Sequence, residues 1–535
     1  MDLRRFPWIR RLAADYAYDF SAVARFFSGD PADRQAWTHV ISRTQAHPRQ
    51  AAEIARVLAG QQQRRGAPEP ARAAARLLAD ARTVAVVTGQ QAGLFGGPLF
   101  TLLKALTALK LARRVSHEHG VPCVAIFWID AEDHDWDEVR SCTVFDAALN
   151  PQTVSLPAHP GDEPAAVATV RLDATITTAL RQLEEILPET GFRAELLDLL
   201  GRAYKPGAGV ADAFGVLLEQ VLGPRGLVVY DSSDPAAKPL VSRVFARELS
   251  APGETARRAA AAGSDLVARG YHAQVHTQHD TLALFRLGQG RRSIRQQDGH
   301  FVIGGEPVAT DALEREAVDQ PAGFSPNVLL RPIVQDTLFP TVCYVAGPNE
   351  HAYLGQVRGV YEHFDVPMPL MFPRATATLL DSAAMRFLAK YDVAIESLQA
   401  QDEAALNDLL KAQIPESVEQ IFTDASLAID SQMSRLVEAI PAIDPTLEHT
   451  ARSTLARMQH DLQTLHSKMI SAAKRRDETL RRQFSRTRAL AFPNGHAQER
   501  TIAFISFLNQ YGPSLVDRLD AELPLDLGSH WIITI

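Results

Sequence analysis

The stretch Val84-Ala85-Val86-Val87-Thr88-Gly89-Gln90-Gln91-Ala92-Gly93-Leu94-Phe95-Gly96-Gly97-Pro98 changes character twice. Val84 to Thr88 is a short apolar run with no alternation, which suits a strand buried on both faces of a parallel sheet. A glycine-rich loop follows, and Pro98 marks a helix start, where a missing N–H costs nothing. Leu99, Leu102, Leu103, Leu106 and Leu109 give that helix an apolar face. Val121 to Ile129 is a second buried strand. Strand, loop, helix and strand make a βαβ unit.

Working outward, the same pattern recurs. Gly226 to Tyr230 ends in Asp231, Thr341 to Ala346 ends in Gly347-Pro348-Asn349-Glu350, and Pro369 to Phe372 ends in Pro373-Arg374. The expected fold is α/β: a Rossmann-like doubly wound parallel sheet over residues 81–385, with inserted connecting segments. Insertions fall at about 140–225 and 271–306. The second carries turn signals (Gly288-Gln289-Gly290, Asp298-Gly299, Gly304-Gly305) and reads as hairpins. Residues 1–80 read as a helical segment. Residues 386–490 read as a helical coiled-coil arm, because Ala451, Leu455, Met458, Leu462, Leu465, Met469 and Ala472 step by 4, 3, 4, 3, 4, 3. Val418, Phe422, Ala425, Ile429, Met433, Leu436 and Ile440 form a near-heptad upstream, and Pro441 and Pro445 break the chain between the two. Such a hairpin either packs on its parent domain or pairs with a second copy; the length of the seam favours a homodimer. Residues 491–535 are expected to pack on core and arm.

The 535 residues are 46% hydrophobic and 22% charged, ordinary globular values, and 55 Lys plus Arg against 63 Asp plus Glu leave a net charge of −8. That balance gives no global attraction to nucleic acid or an anionic membrane. Cys123, Cys142 and Cys343 lie far apart with no Cys-x-x-Cys pair, which argues against a zinc knuckle and fits a reducing compartment. No uninterrupted apolar stretch suggests a signal peptide or membrane span, so a cytoplasmic protein is expected.

The loop Gly89 to Gly97 carries the strongest chemical signal. It leads into a helix N-terminus, whose free N–H groups and positive partial charge suit a phosphate or carboxylate. Gly89, Gln90, Gln91, Gly96, Gly97 and Lys104 are the candidate anion-binding residues. The loop is neither a Walker loop nor a dinucleotide fingerprint. The tract Glu132-Asp133-His134-Asp135 follows the next strand and should face the same crevice. It offers a general base, an ammonium-binding carboxylate or an Mg²⁺ ligand, or else simply a solvated helix start. Gly347, Glu350 and Tyr353, after a third strand, are candidates for a substrate amine or hydroxyl, and Arg374 for a phosphate or a structural carboxylate. His272, His276 and His279 are read as surface residues.

Four stretches carry a family resemblance: Thr88 to Pro98; Phe127-Trp128-Ile129-Asp130-Ala131-Glu132-Asp133-His134-Asp135; Asn327-Val328-Leu329-Leu330-Arg331-Pro332 with Tyr344-Val345-Ala346-Gly347-Pro348; and Phe492 to Arg500 with Leu508-Asn509-Gln510-Tyr511-Gly512. In these the chain resembles the cysteine-adding enzymes of bacillithiol synthesis, the family called BshC. The resemblance implies a Rossmann-type core, a coiled-coil arm that makes a homodimer, and addition of L-cysteine to the amine of glucosaminyl malate. An amide from a free carboxylate is uphill in water, so it also implies ATP-dependent carboxyl activation, with Mg²⁺ as a companion. It further implies an adenine nucleotide (ATP or ADP) near the arm, for which Asn494, Gln498, Glu499 and Tyr511 are the matching positions. The zinc-ligand cysteines of the analogous mycothiol ligase have no counterpart, and no adenylation motif is visible. Two readings compete: a nucleotide-binding accessory or scaffold protein assisting another ligase, and a sugar-nucleotide glycosyltransferase.

Overall fold

The computed structural model describes residues 1–158, 166–276, 280–288, 290–412, 416–476 and 478–535. His279 and Gln289 lie outside them. The chain forms two compact units, one comprising Met1–Leu379 with Gln498–Ile533 and the other Leu380–Ala497.

The first unit is built on five strands: β1 (Val84–Gln90), β2 (Cys123–Ile129), β3 (Val228–Asp231), β4 (Thr341–Ala346) and β5 (Leu370–Pro373). Their order is β5-β4-β1-β2-β3. Every neighbouring pair is parallel. The register of β1 on β2 runs unbroken from Val84 against Cys123 to Gln90 against Ile129. Helix α1 (Leu99–His119) makes the crossover from β1 to β2. From β1 the chain proceeds to β2 and β3 on one side, and β4 and β5 lie on the other, so the winding reverses between β1 and β4. A crevice opens at the carboxyl ends of strands at such a point. Helix α2 (Arg331–Leu338) precedes β4.

The 140–225 insertion is a hairpin, Ser141–Phe145 against Pro151–Ser155, followed by helices Thr175–Ile186, Arg193–Ala203 and Val210–Leu222. The later insertion makes an antiparallel sheet from Thr281–Gly288, Gly290–Gln297, His300–Ile303 and Glu306–Val308, with Phe324–Pro326 on the edge of Thr281–Gly288. The N-terminal helices do not stand apart. Trp37, Val40, Ile54, Leu58 and Ala71 are buried, and their helices pack on the sheet, because these short amphipathic segments have no core of their own. Most of the C-terminal segment likewise belongs to the first unit.

The second unit contains helices α3 (Glu416–Ala439) and α4 (Glu448–Arg476), packed as an antiparallel hairpin. Its register is pinned by Gln459 Nε2 donating to Asp430 Oδ1 at 3.0 Å and by His466 Nε2 lying 2.9 Å from Glu419 Oε1. The face of α4 toward α3 is therefore Leu455, Gln459, Leu462, His466 and Met469. The apolar seam divides here. Leu455, Leu462 and Met469 are half-buried, whereas Met458 and Leu465, on the flank, are 38% and 52% exposed. No helix among the described residues is long and apolar enough to cross a membrane.

Candidate functional site

A cavity of 580 Å³ opens at the switch point, lined by Gly89, Gln90, Gln91 and Gly97 from the loop, Lys104 from α1, and Gly347, Glu350 and Tyr353 from beyond β4. Trp128 and Asp130 close it from β2, Arg331 from α2, and Arg374 and Arg500 from the far side. That volume is in the range of small-molecule sites.

The loop owes its shape to packing. Gly97 has φ 72° and ψ −171°, a region that only glycine occupies readily. A Cβ on Gly96, at φ 93°, would lie 2.4 Å from the Phe504 ring. Phe95, buried and itself left-handed at φ 52°, packs edge-on against Tyr204 at 5.0 Å. Gly96 is thus required by its neighbours, while Gly97 faces the cavity. The start of α1 is partly taken: the Leu99 N–H donates to Ile502 O at 2.8 Å.

Lys104 is buried and fully engaged. Its Nζ donates to Gly89 O at 2.8 Å and Gln90 Oε1 at 3.2 Å, and pairs with Glu350 Oε2 at 2.6 Å. Burial lowers its pKa, an effect that Glu350 opposes. Glu350 Oε1 accepts from Tyr344 Oη at 3.0 Å and Tyr353 Oη at 3.2 Å. Burial works against its charge, but Lys104 and the Gly347 N–H hold the carboxyl below its ordinary value. Arg374 is equally committed, bidentate to Glu499 at 2.9 and 2.6 Å. Lys104, expected as an anion ligand, and Arg374, expected on a phosphate or a structural carboxylate, are both neutralised within the wall, Arg374 by the structural carboxylate of Glu499.

The acidic tract is dispersed. Glu132 is buried in an ion pair with Lys238, which also donates to Phe324 O at 3.1 Å, and does not line the cavity. Asp135 caps the short helix Trp136–Val139 through the Glu138 N–H at 3.1 Å, the structural role. Asp133 accepts from Gln91 Nε2 at 2.6 Å and lies 3.6 Å from Arg291 of the antiparallel sheet. His134 is exposed, with Nδ1 3.3 Å from Arg291. So Asp133 stands next to the cavity rim through Gln91, while Glu132 is withdrawn from it.

Among the residues proposed for the nucleotide, Gln498 and Glu499 are buried and spent on the chain itself: Gln498 on both polar groups of the Leu379 backbone, Glu499 on Arg374 and the Ala377 N–H. Tyr511 ends its helix half-buried, and Asn494, in the second unit, is exposed with φ 53°. His272 and His276 do not line the cavity.

The charged groups on the cavity without an ion-pair partner among the described residues are ones to which the sequence assigns no role. Asp130, one residue past β2, lies on the cavity wall, and among the described residues no donor reaches its carboxylate. Burial raises its pKa, opposed by Arg331. Arg331 is buried, donates to Gln335 Oε1 at 3.0 Å and Tyr353 Oη at 3.4 Å, and among the described residues forms no ion pair with a carboxylate. Its guanidinium lies 5.6 Å from the Tyr344 ring centre and 6.0 Å from that of Trp128, whose Nε1 is buried without a partner. Arg500 is exposed at the cavity edge, stacked 5.7 Å from the Phe100 ring centre. The strand-end rule points at Asp130; Arg331 lies in the resemblance stretch Asn327 to Pro332, which by itself assigns it no role.

Residues 2–375 match the model for the N-terminal Rossmann-like domain of bacillithiol biosynthesis BshC, and residues 377–535 match its C-terminal coiled-coil domain. The chain belongs to the BshC family. A BshC relative from Salinibacter ruber is 34% identical over 98% of this chain and 96% of its own length. One from Koribacter versatilis is 32% identical over 97% and 96%, and one from Symbiobacterium thermophilum 34% identical over 87% and 86%. All three carry the name "Putative cysteine ligase BshC". The two BshC domains meet within residues 375–377, close to the boundary at Leu379 between the compact units.

Proposed function

We propose that this chain is the ligase that joins the carboxyl group of L-cysteine to the amine of glucosaminyl malate, giving bacillithiol at the expense of ATP. The observation that carries the reading is the 580 Å³ cavity at the β1/β4 switch point, walled by groups of both charges, in a chain whose full-length relatives are named cysteine ligases. In the reaction, a carboxylate oxygen attacks a phosphorus of ATP. Pyrophosphate leaves if this is the α-phosphorus, ADP if it is the γ. The acceptor amine nitrogen then attacks the acyl carbon, expels the nucleotide or phosphate, and gives up a proton. Gly89, Gln90, Gln91 and Gly97 line the side of the cavity assigned to an anionic substrate, and Arg500 supplies the cation there. Lys104, Glu350, Tyr353 and Arg374 hold the wall in shape, and Asp133 orients Gln91. In this reading Mg²⁺ accompanies the nucleotide phosphates. The reading takes the reaction to be cytoplasmic, where ATP and a reducing environment for the thiol are both found.

The test is the purified chain incubated with cysteine, glucosaminyl malate and ATP. Bacillithiol should form with matching release of AMP or ADP. A folded protein that makes neither product nor ATP-derived nucleotide, yet restores synthesis when a second protein is added, would establish the accessory reading instead.

The same reading takes the chain as a homodimer through its arm. The uncovered flank of α4, Met458 and Leu465, together with Leu436 of α3 at 53% exposure, supports it. Each such side chain gains roughly 1.5–3 kcal/mol when fully buried, and symmetric pairs are the commonest oligomers.

A further inference from the structure

Four cations line the cavity, and they divide by what already holds them. Lys104 and Arg374 are answered by Glu350 and Glu499. Arg500 stands at the open edge. Arg331 is the buried one that forms no ion pair among the described residues; Gln335, Tyr353 and two aromatic rings hold it, and the charges of Asp130 and Glu350 favour it from a distance. A buried guanidinium on a cavity wall without a directly paired carboxylate leaves donor capacity for an anion. Asp130 is its complement: a carboxylate on the same cavity that no donor among the described residues reaches. The two do not form an ion pair with each other, yet each feels the other's charge. Trp128 lines the same cavity, and its buried indole N–H has no acceptor among the described residues.

A separated positive and negative group, fixed on one wall, matches a small molecule that carries both charges. We propose that Asp130 and Arg331 form a clamp for an α-amino acid in its zwitterionic form, with Asp130 on the ammonium and Arg331 on the carboxylate. The assignment rests on the ligase reading and specifies how its amino-acid substrate is oriented. The ammonium is held away from the reacting carbon, which keeps the donor's own amine from competing with the acceptor's. The clamp reads the amino-acid backbone and not the thiol, so serine enters it as well and the thiol is selected elsewhere.

The full chain, with a non-hydrolysable ATP analogue present, is titrated by calorimetry with L-cysteine, cysteamine (ammonium only) and 3-mercaptopropionate (carboxylate only). L-cysteine should bind at least tenfold more tightly than either fragment. Asp130→Asn should weaken cysteine and cysteamine about tenfold or more and leave 3-mercaptopropionate unchanged. Arg331→Lys should weaken cysteine and 3-mercaptopropionate and spare cysteamine. Equal weakening of both fragments by either variant, or no change by Asp130→Asn, overturns the clamp. So does a wild-type protein that binds glucosamine in competition with cysteamine at Asp130, since the pair then serves the acceptor. If Arg331→Lys fails to fold, the wild-type series and Asp130→Asn still decide the matter. The two readings fail separately. Charge-matched binding without product formation retains the clamp and removes the ligase. Product formation with cysteine binding indifferent to Asp130→Asn does the reverse.

Discussion

In the first unit, four pairs of charged side chains pack into its interior and match one another: Arg65 with Glu219, Lys104 with Glu350, Arg374 with Glu499, Lys238 with Glu132. In the arm, apolar side chains are exposed and unmatched, with Leu427 at 64%, Leu436 at 53% and Leu465 at 52%. The contrast reflects what each region must specify. A buried ion pair adds little net stability but is expensive to break, so it fixes geometry around a cavity. An exposed apolar column adds nothing to an isolated hairpin and becomes favourable on association. Substitutions should therefore behave oppositely in the two regions.

The largest effect is expected at Lys104. Lys104→Met strands the Glu350 carboxylate in a buried wall, and about 3–5 kcal/mol of stability should be lost in chemical denaturation. Adding Glu350→Leu should recover part of it. A loss below 1 kcal/mol would mean that the pair is open to solvent.

Next is a pH test of the same unit. Glu248 is buried, accepting from the Thr255 hydroxyl and the Ala283 N–H, and burial pushes its pKa up to about 7. The folded chain keeps this proton to higher pH than the unfolded chain. Stability should fall as pH rises from the ordinary carboxylate value to about 7, then level off. Glu248→Gln should flatten that slope, by up to about 3 kcal/mol across the window. An unchanged slope would locate the pH dependence elsewhere.

Gly97→Ala comes third. The backbone at φ 72° and ψ −171° resists any Cβ, and a cost of about 1–3 kcal/mol is expected, with ligand binding weakened because Gly97 faces the cavity. Gly96→Ala should cost more in stability, since its Cβ meets Phe504. Equal effects on folding from the two would remove the distinction between a packed and a lining glycine.

The smallest effect on folding is expected in the arm. Met458→Glu with Leu465→Glu alters exposed positions and should change the denaturation midpoint of the monomer little, within about 0.5 kcal/mol per site. Light scattering should nonetheless show half the wild-type mass. A wild-type chain that is already monomeric at micromolar concentration removes the dimer and the contrast with it.

The sequence carried a large part of this fold because its signals are local. Val84 to Thr88 has the composition of a doubly buried strand, Pro98 the position of a helix start, and Ala451 to Ala472 the step of a heptad. Each of these is written within a few residues. The same locality explains how Glu132 to Asp135 came to be read as one chemical cluster. Adjacent in sequence, the four residues end in a buried ion pair, a contact to Gln91, an exposed ring and a helix cap.

What the sequence alone determined, then, is the parallel core, the loop at its switch point and the presence of a long helical hairpin, all consequences of short-range periodicity and backbone preference. Which charges are spent and which are free was decided by the tertiary structure. Lys238 reaches Glu132 across 106 positions and Arg374 reaches Glu499 across 125, and no pattern in the chain announces either. Only once those partners are placed do Asp130 and Arg331 stand out, because a charge on a cavity wall is defined by the neighbours that fail to neutralise it.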